Sequence, residues 1–261
     1  DVRNNVSLLD KNKDNTNRIN RILGNVFAEM DLFETIGIFE GHQLKVRTSY
    51  GLEHSDNYAR GFQASFQEGD FDIQNNFLGN FYNRGRTITW TNTLSYDHNF
   101  GKHGVGLNLG YETVDNESEF LRAENTGFLI EDVDFTFQSA ASGDARTAGG
   151  GTGNALRSVF GRLNYNFDDK YLLSGIMRRD ETSRFSDIGY FPSVSLGWVI
   201  SKEPFFENIG AIDQLKLRGS WGQLGNQTAG DFTQLSLFGS DPNSSDYDIA
   251  STNTGVEQGF I

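Results

Sequence analysis

Cysteine is absent from the 261 residues and proline occurs only three times. The first absence excludes a disulfide framework and any thiolate metal centre. The second leaves extended segments almost free of the one residue that cannot donate to a β-ladder. Long apolar runs are missing as well. Mean hydropathy is -0.50, and no stretch approaches the roughly 18 consecutive apolar residues of a membrane helix. Hydropathy alone would describe a water-soluble chain, but strands of a membrane barrel carry one apolar residue in two and leave only a faint hydropathy signal. Bases are outnumbered 22 to 35, for a net charge of -13. The acidic balance argues against nucleic acid as a partner, because phosphates require a basic footprint. The chain opens at Asp1 with neither an initiator Met nor a basic and apolar leader, so residues 1–261 are expected to be one internal segment of a longer protein.

What is present is glycine, 30 of them, and a period of two. Gly24, Val26, Ala28, Met30 and Leu32 alternate with Arg21, Asn25, Glu29 and Asp31; Leu44, Val46, Thr48, Tyr50 and Leu52 alternate with Lys45, Arg47, Ser49, Gly51 and Glu53. The same alternation recurs around Ile88–Tyr96, where Asn92 breaks the apolar face, and around Val105–Tyr111, Val159–Phe167, Val194–Ile200 and Leu215–Trp221, while Tyr171–Arg179 is a further strand of ambiguous face. Period two over such lengths is the pattern of half-buried β-strands, which predicts an all-β chain of about eight strands. Their lengths, roughly 8 to 13 residues, are close to the 9–11 that cross a bilayer when tilted.

The connections alternate in length. Short ones such as DHNFGKH and DDK are followed by longer ones at 56–86 and 115–155, although the RRDETSRFSDIG connection is short, and the excess acid lies outside the short turns. Residues 56–85 carry four acids against two bases, 113–153 eight against two, and 223–261 five against none, so these regions hold the whole surplus. Outer-membrane barrels pair short periplasmic turns with long extracellular loops. In that arrangement Arg21 and Asn25 face the lumen, and Trp90, Tyr96, Tyr111, Trp198 and Trp221 are the candidates for the membrane-interface girdles. A soluble or surface all-β structural or adhesive domain with its apolar faces turned inward has the same period, so alternation leaves both open.

Chemistry-bearing motifs are scarce. His42, His54, His98 and His103 have no metal-ligand spacing. GGGTGN at Gly149–Asn154 lacks the third glycine of a dinucleotide fingerprint. DPNSSDYD at Asp241–Asp248 has Asp246 where a calcium loop needs glycine, and no Glu closes it. Asp180 and Glu181 are strand neighbours that point to opposite faces, which does not suit an acid/base pair; with Arg178, Arg179 and Arg184 beside them they read as a salt-linked strand end. No catalytic residue, metal site or cofactor is expected. Phenylalanines are unusually frequent in the long connections. Phe62, Phe66, Phe128, Phe135 and Phe137 are the candidates for contact with a partner or ligand, against the alternative that the loops pack on one another.

The strings GRLNYNF, DDKYLL, RRDETSRF, GYFPSVSLGW and LKLRGSWGQLGNQ follow one another between Gly161 and Gln227, with NRILGNVFAE, SFQEGDF and NNFLGNFYNRGRTITWTNTLSY upstream. Together they resemble the SusC/RagA family of TonB-linked outer-membrane transporters. The resemblance implies a partial transmembrane antiparallel β-barrel, taken from plugged transporters of 22 strands. It implies an outer-membrane lipid environment and import of glycan fragments or peptides. The implied partners are a SusD-like surface lipoprotein over the long loops and the TonB complex acting through a plug domain not visible in this sequence.

Overall fold

The computed structural model describes residues 14–37, 41–68, 71–206, 212–227 and 230–231. Eight strands form one antiparallel sheet: β1 (Thr16–Asp31), β2 (His42–Gln63), β5 (Phe77–Phe100), β6 (His103–Thr126), β7 (Arg146–Phe167), β8 (Tyr171–Thr182), β9 (Gly189–Val199) and β10 (Lys216–Gly222). They lie in sequence order, each paired with the next, and a small separate hairpin of β3 (Phe66–Glu68) and β4 (Phe71–Ile73) interrupts the β2–β5 connection. Every predicted strand is present. The sheet does not close on itself among the described residues, so β1 and β10 are its edges.

The turns at one end follow from local chemistry. Phe100 pairs directly with His103, leaving Gly101 and Lys102 as a two-residue hairpin with Gly101 at φ 58, the positive φ that a tight hairpin demands and glycine supplies freely. Phe167 pairs with Tyr171 across Asp168, Asp169 and Lys170, with both aspartates left-handed. The Asn166 side chain pins this turn, its Nδ2 donating to Asp169 Oδ1 and its Oδ1 accepting from the Asp169 amide, each at 2.9 Å. Between β1 and β2 a single helical turn, α1 (Leu32–Ile36), is capped by the Asp31 carboxylate, which accepts from the amides of Phe33 and Glu34.

At the opposite end the strands are far longer than expected. β5 and β6 have 24 residues each and β2 and β7 have 22, whereas about 9–11 cross a bilayer. The regions 56–86 and 115–155, expected as loops, are therefore mostly strand, and the loops proper shrink to 64–76 and 127–145. The reason is cross-strand pairing of polar side chains. Arg84 sits opposite Glu119 and Arg86 opposite Glu117 in the register, joined at 2.8 and 2.6 Å, and Tyr82 donates to Asp56 at 2.7 Å. Such pairs stabilise a ladder as apolar ones do but leave no apolar periodicity to read.

The register sorts the sheet into two faces. Val26, Val46, Tyr50, Leu52, Trp90, Leu94, Leu107, Leu109, Val159, Leu163, Leu173, Met177, Val194, Leu196, Leu217 and Trp221 share one face and are all exposed. On β2 this stretch runs nine residues, Leu44–Leu52, before charge begins at His54 and Asp56, and on β5 it runs from Ile88 to Tyr96, bounded by Arg86. No second layer covers it among the described residues. A soluble sandwich must bury such a face against another element, whereas a bilayer takes an apolar band nine residues tall.

The inner face, the capped rim and the outer band

Opposite the apolar band, the other face is mainly hydroxyl, amide and charge, including Lys45, Arg47, Ser49, Thr87, Thr89, Thr91, Thr93, Ser95, Asn108, Glu112, Ser158, Arg162, Asn164, Ser174, Arg178, Ser195 and Arg218, with Leu23, Phe27, Phe160, Leu172, Ile176 and Phe191 interspersed. Arg21 and Asn25 lie on it, Arg21 beside Glu53 at 3.7 Å and Asn25 donating to Ser49 at 3.0 Å. Its centre is Arg178. The guanidinium donates through Nε to both Asp180 oxygens at 2.8 and 3.1 Å and through one terminal nitrogen to the buried Ser158 hydroxyl at 2.8 Å. Glu112 lies 3.4 Å away and accepts from Thr91 at 3.1 Å. Glu181 points the other way, to Arg179 and Arg157, as neighbours in a strand must. The adjacent carboxylates Asp180 and Glu181 thus serve two faces and form no acid/base pair. A groove of 680 Å³ runs along the same face toward the short turns, lined in part by Asp97, Asn164, Ser174, Lys216 and Arg218.

At the rim, loop 127–145 folds down over the ends of β2, β5 and β6 and makes the one compact apolar cluster among the described residues: Phe62, Ala64, Leu78 and Phe128. The rings of Phe62 and Phe128 meet edge to face at 5.6 Å. Polar clamps hold the loop in place. Arg60 reaches the Thr136 carbonyl at 3.2 Å, the Gln138 amide donates to Asn80 Oδ1 at 2.7 Å, and the Glu131 carboxylate accepts from Asn76 and from the Ser65 amide, both at 2.8 Å. The five candidate phenylalanines consequently divide. Phe62, Phe66 and Phe128 are 6%, 8% and 5% exposed and pack inward, whereas Phe135 and Phe137 are 58% and 60% exposed. Leu129, not singled out in the sequence, is 96% exposed beside them, with Ile130 and Val133 also open. The one signal that could have marked it is the apolar pair inside the acidic string FLIEDVDF.

The aromatic candidates all fall on the apolar face. Tyr96 and Trp198 stand at its short-turn end; Trp90, Tyr111 and Trp221 stand toward the long-strand end. At the short-turn end the polar tips are anchored. Tyr171 Oη and Trp198 Nε1 both donate to Glu203, at 2.7 and 3.0 Å, and Tyr96 Oη meets His42 Nδ1 at 2.7 Å. Glu203 sits in the turn below; the hydrogen bonds from Tyr171 and Trp198, with Lys170 nearby, hold its carboxyl below the usual range. Three of the four histidines also gather here. His42 stacks on His98 with centroids 3.6 Å apart, and Phe100 stacks between His98 and His103, so these histidines extend an aromatic row.

A single meander with an outward apolar band and an inward polar face, closed by tight turns at one end and long strands at the other, is a segment of an outer-membrane-type β-barrel. The chain belongs to the family described as TonB dependent receptor-like, beta-barrel, which it matches over residues 2–258. It is 34% identical over 174 residues to TonB-dependent receptor P39 of Formosa agariphila, covering 64% of this chain and 15% of that protein. It is 46% identical over 91 residues to TonB-dependent receptor SusC of Bacteroides thetaiotaomicron, covering 33% of this chain and 9% of that protein. The solved structure of the RagAB peptide transporter has the same fold, with a TM-score of 0.72 at 20% identity over 95% of this chain and 27% of that one. The segment is therefore of the SusC/RagA kind, and it spans less than a fifth of the length of these two curated relatives.

Proposed function

We propose that this segment forms part of the wall of an outer-membrane transporter that imports glycan fragments or oligopeptides, driven by TonB, and that it is not an enzyme. The observation that carries this reading is the separation of faces: nine-residue apolar stretches outside, and a lining inside in which hydroxyl, amide and charge predominate. A lumen of that chemistry is wet and offers hydrogen bonds to polar cargo without a catalytic pair. Trp90, Tyr111 and Trp221 serve one membrane interface, and Tyr96 and Trp198 the other. SusC and RagAB, as relatives, favour a polar nutrient and a second subunit at the surface.

The surface partner is a SusD-like lipoprotein, and its contact falls on Leu129, Phe135 and Phe137. A loop rigidly clamped at its base that presents apolar side chains to water is the arrangement of an interface anchor. Replacing these three by serine in the full-length protein should abolish co-purification of the lipoprotein and leave barrel insertion intact. Unchanged co-purification places the contact elsewhere. The transport reading itself is tested by deleting the gene and measuring growth on oligosaccharide and oligopeptide mixtures; a deletion strain that takes up both as well as wild type removes it.

A further inference from the structure

β7 outruns its neighbour on one side only. Its residues 146–153 stay paired with β6, but β8 ends at Thr182, opposite Leu156. Beyond that point the β8 side of β7 is an open edge. The direction of its backbone groups is fixed by Ala155, whose amide donates to Ser183 Oγ and whose carbonyl accepts from the Ser183 amide, both at 2.9 Å. Backbone direction alternates along a strand, and the register with β6 is uninterrupted. The amide and carbonyl of Thr147, Gly149, Gly151 and Gly153 therefore all point out of the edge, and among the described residues they have no partner.

Natural edges of this length are guarded by lysine, proline, a bulge or a covering segment. Among the described residues this one has none of them: from Thr147 to Ala155 there is no charge and no proline, and Gly149, Gly150, Gly151 and Gly153 carry no side chains. Residues 146–152 are exposed throughout. The nearby Asp231 carboxylate is engaged with the Thr152 hydroxyl and Arg184, and Thr152 points to a face of the sheet, so this contact does not fill the edge.

We propose that the open edge of β7, Thr147 to Gly153, is a strand-addition site for an extended cargo oligopeptide, which docks antiparallel or parallel as a further strand. The inference rests on the transport reading above and narrows its cargo. Donor and acceptor groups repeating every second residue, about 7 Å apart, match another polypeptide backbone and no glycan. Main-chain pairing supplies affinity without reading sequence, and the missing side chains leave room on both faces for whatever the peptide carries.

The test uses the full-length transporter in detergent with its surface partner, and a blocked heptapeptide, Lys-Thr-Val-Ser-Thr-Val-Lys, titrated by calorimetry. Two N-methylated versions serve as controls: one methylated at every second amide, which leaves one edge of the peptide free, and one methylated at every amide, which leaves neither. Wild type should bind the parent peptide and the half-methylated version, whose free edge can face β7, and bind the fully methylated version at least tenfold more weakly. Gly151→Pro removes one outward amide while sparing the β6 ladder, because that amide faces away from β6; it should weaken the parent peptide at least tenfold. No binding to wild type, undiminished binding of the fully methylated version, or binding of a neutral oligosaccharide in competition with the peptide overturns the proposal. Peptide uptake that persists unchanged in Gly151→Pro overturns it as well and leaves transport standing. Edge-specific binding by a protein that imports nothing would overturn the transport reading instead.

Discussion

Asn76 grips Phe128 at both ends of one peptide unit's worth of polarity: its Nδ2 donates to the Phe128 carbonyl and its Oδ1 accepts from the Phe128 amide, each at 2.7 Å. Both residues are buried. The pair fastens loop 127–145 to the β4–β5 junction and thereby decides which apolar side chains of that loop are hidden and which are presented.

Asn76→Ala should release the loop without unfolding the sheet. Leaving the two backbone groups of Phe128 buried and unpaired costs about 1–3 kcal/mol each, comparable to the roughly 1.5–3 kcal/mol that burying the Phe128 side chain contributes. Hydrogen exchange of residues 127–143 in the full-length protein should rise at least tenfold while β5 and β6 between Ile88 and Val114 stay protected. Unchanged exchange in the loop would show that Glu131, Arg60 and Gln138 hold it alone.

Val46 and Lys45 are chain neighbours on opposite faces, Val46 in the row with Leu94 and Leu109. Val46→Arg should cost about 2–4 kcal/mol where the side chain meets the bilayer midplane. Lys45→Ala, on the polar face, should cost less than about 0.5 kcal/mol. Denaturant titration of the full-length protein in lipid vesicles measures both, and equal losses refute the assignment of faces.

Because the chain contains no cysteine, single cysteines report topology cleanly. Gly150→Cys on the β7 extension should react with an impermeant maleimide on intact cells, and Asp169→Cys in the β7–β8 turn should react only after the outer membrane is opened. The reverse pattern inverts the barrel.

Acid should loosen that same turn. Asp168 accepts from Lys102 Nζ at 3.1 Å, with Lys170 also near, and these cations, Lys102 first, hold its carboxyl below the ordinary value. A depressed carboxylate stabilises the fold fully above its unfolded pKa, about 3.9, and the contribution disappears as pH falls through the lower folded value. Protection factors of the 167–171 amides, corrected for intrinsic exchange, should therefore hold at pH 5 and fall below pH 4. In Lys102→Ala the fall should begin at higher pH; coincident profiles would detach Asp168 from Lys102.

Rim chemistry is equally open to titration. Asp56 accepts from Tyr82 at 2.7 Å and from His54 at 3.1 Å, and the tyrosine hydrogen bond is the first cause of its lowered pKa. The same bond raises the Tyr82 phenol. A raised pKa contributes stability that is complete below the unfolded value, near 10, and is lost as pH climbs through the folded one. Ultraviolet titration of Tyr82 should consequently give a midpoint above that of free tyrosine, and Asp56→Asn should return it to normal.

The strands crossing the apolar band were legible because only there does one face carry Val, Leu, Ile and Trp while the other carries Lys, Thr and Ser; Leu44–Leu52 declares its pairing before any partner is known. The tight turns were legible for a similarly local reason, since Gly101 and the Asp168–Asp169 pair tolerate the positive φ they need. Past the band both faces are polar, and the alternation that marks a strand vanishes although the ladder continues. Arg84 and Arg86 could be recognised as strand residues only after Glu119 and Glu117 were set opposite them, 35 and 31 positions away. The phenylalanines show the same limit. Phe128 and Phe135 are alike in sequence, but burial depends on Asn76 from the β4–β5 junction and Phe62 from β2 arriving beside it, and long-range contacts of that kind have no local signature. Local alternation, turn chemistry and the apolar period thus determined the strands and their faces, whereas the length of the strands, the folding of the rim loop and the open edge of β7 were decided by which segments meet in the assembled sheet.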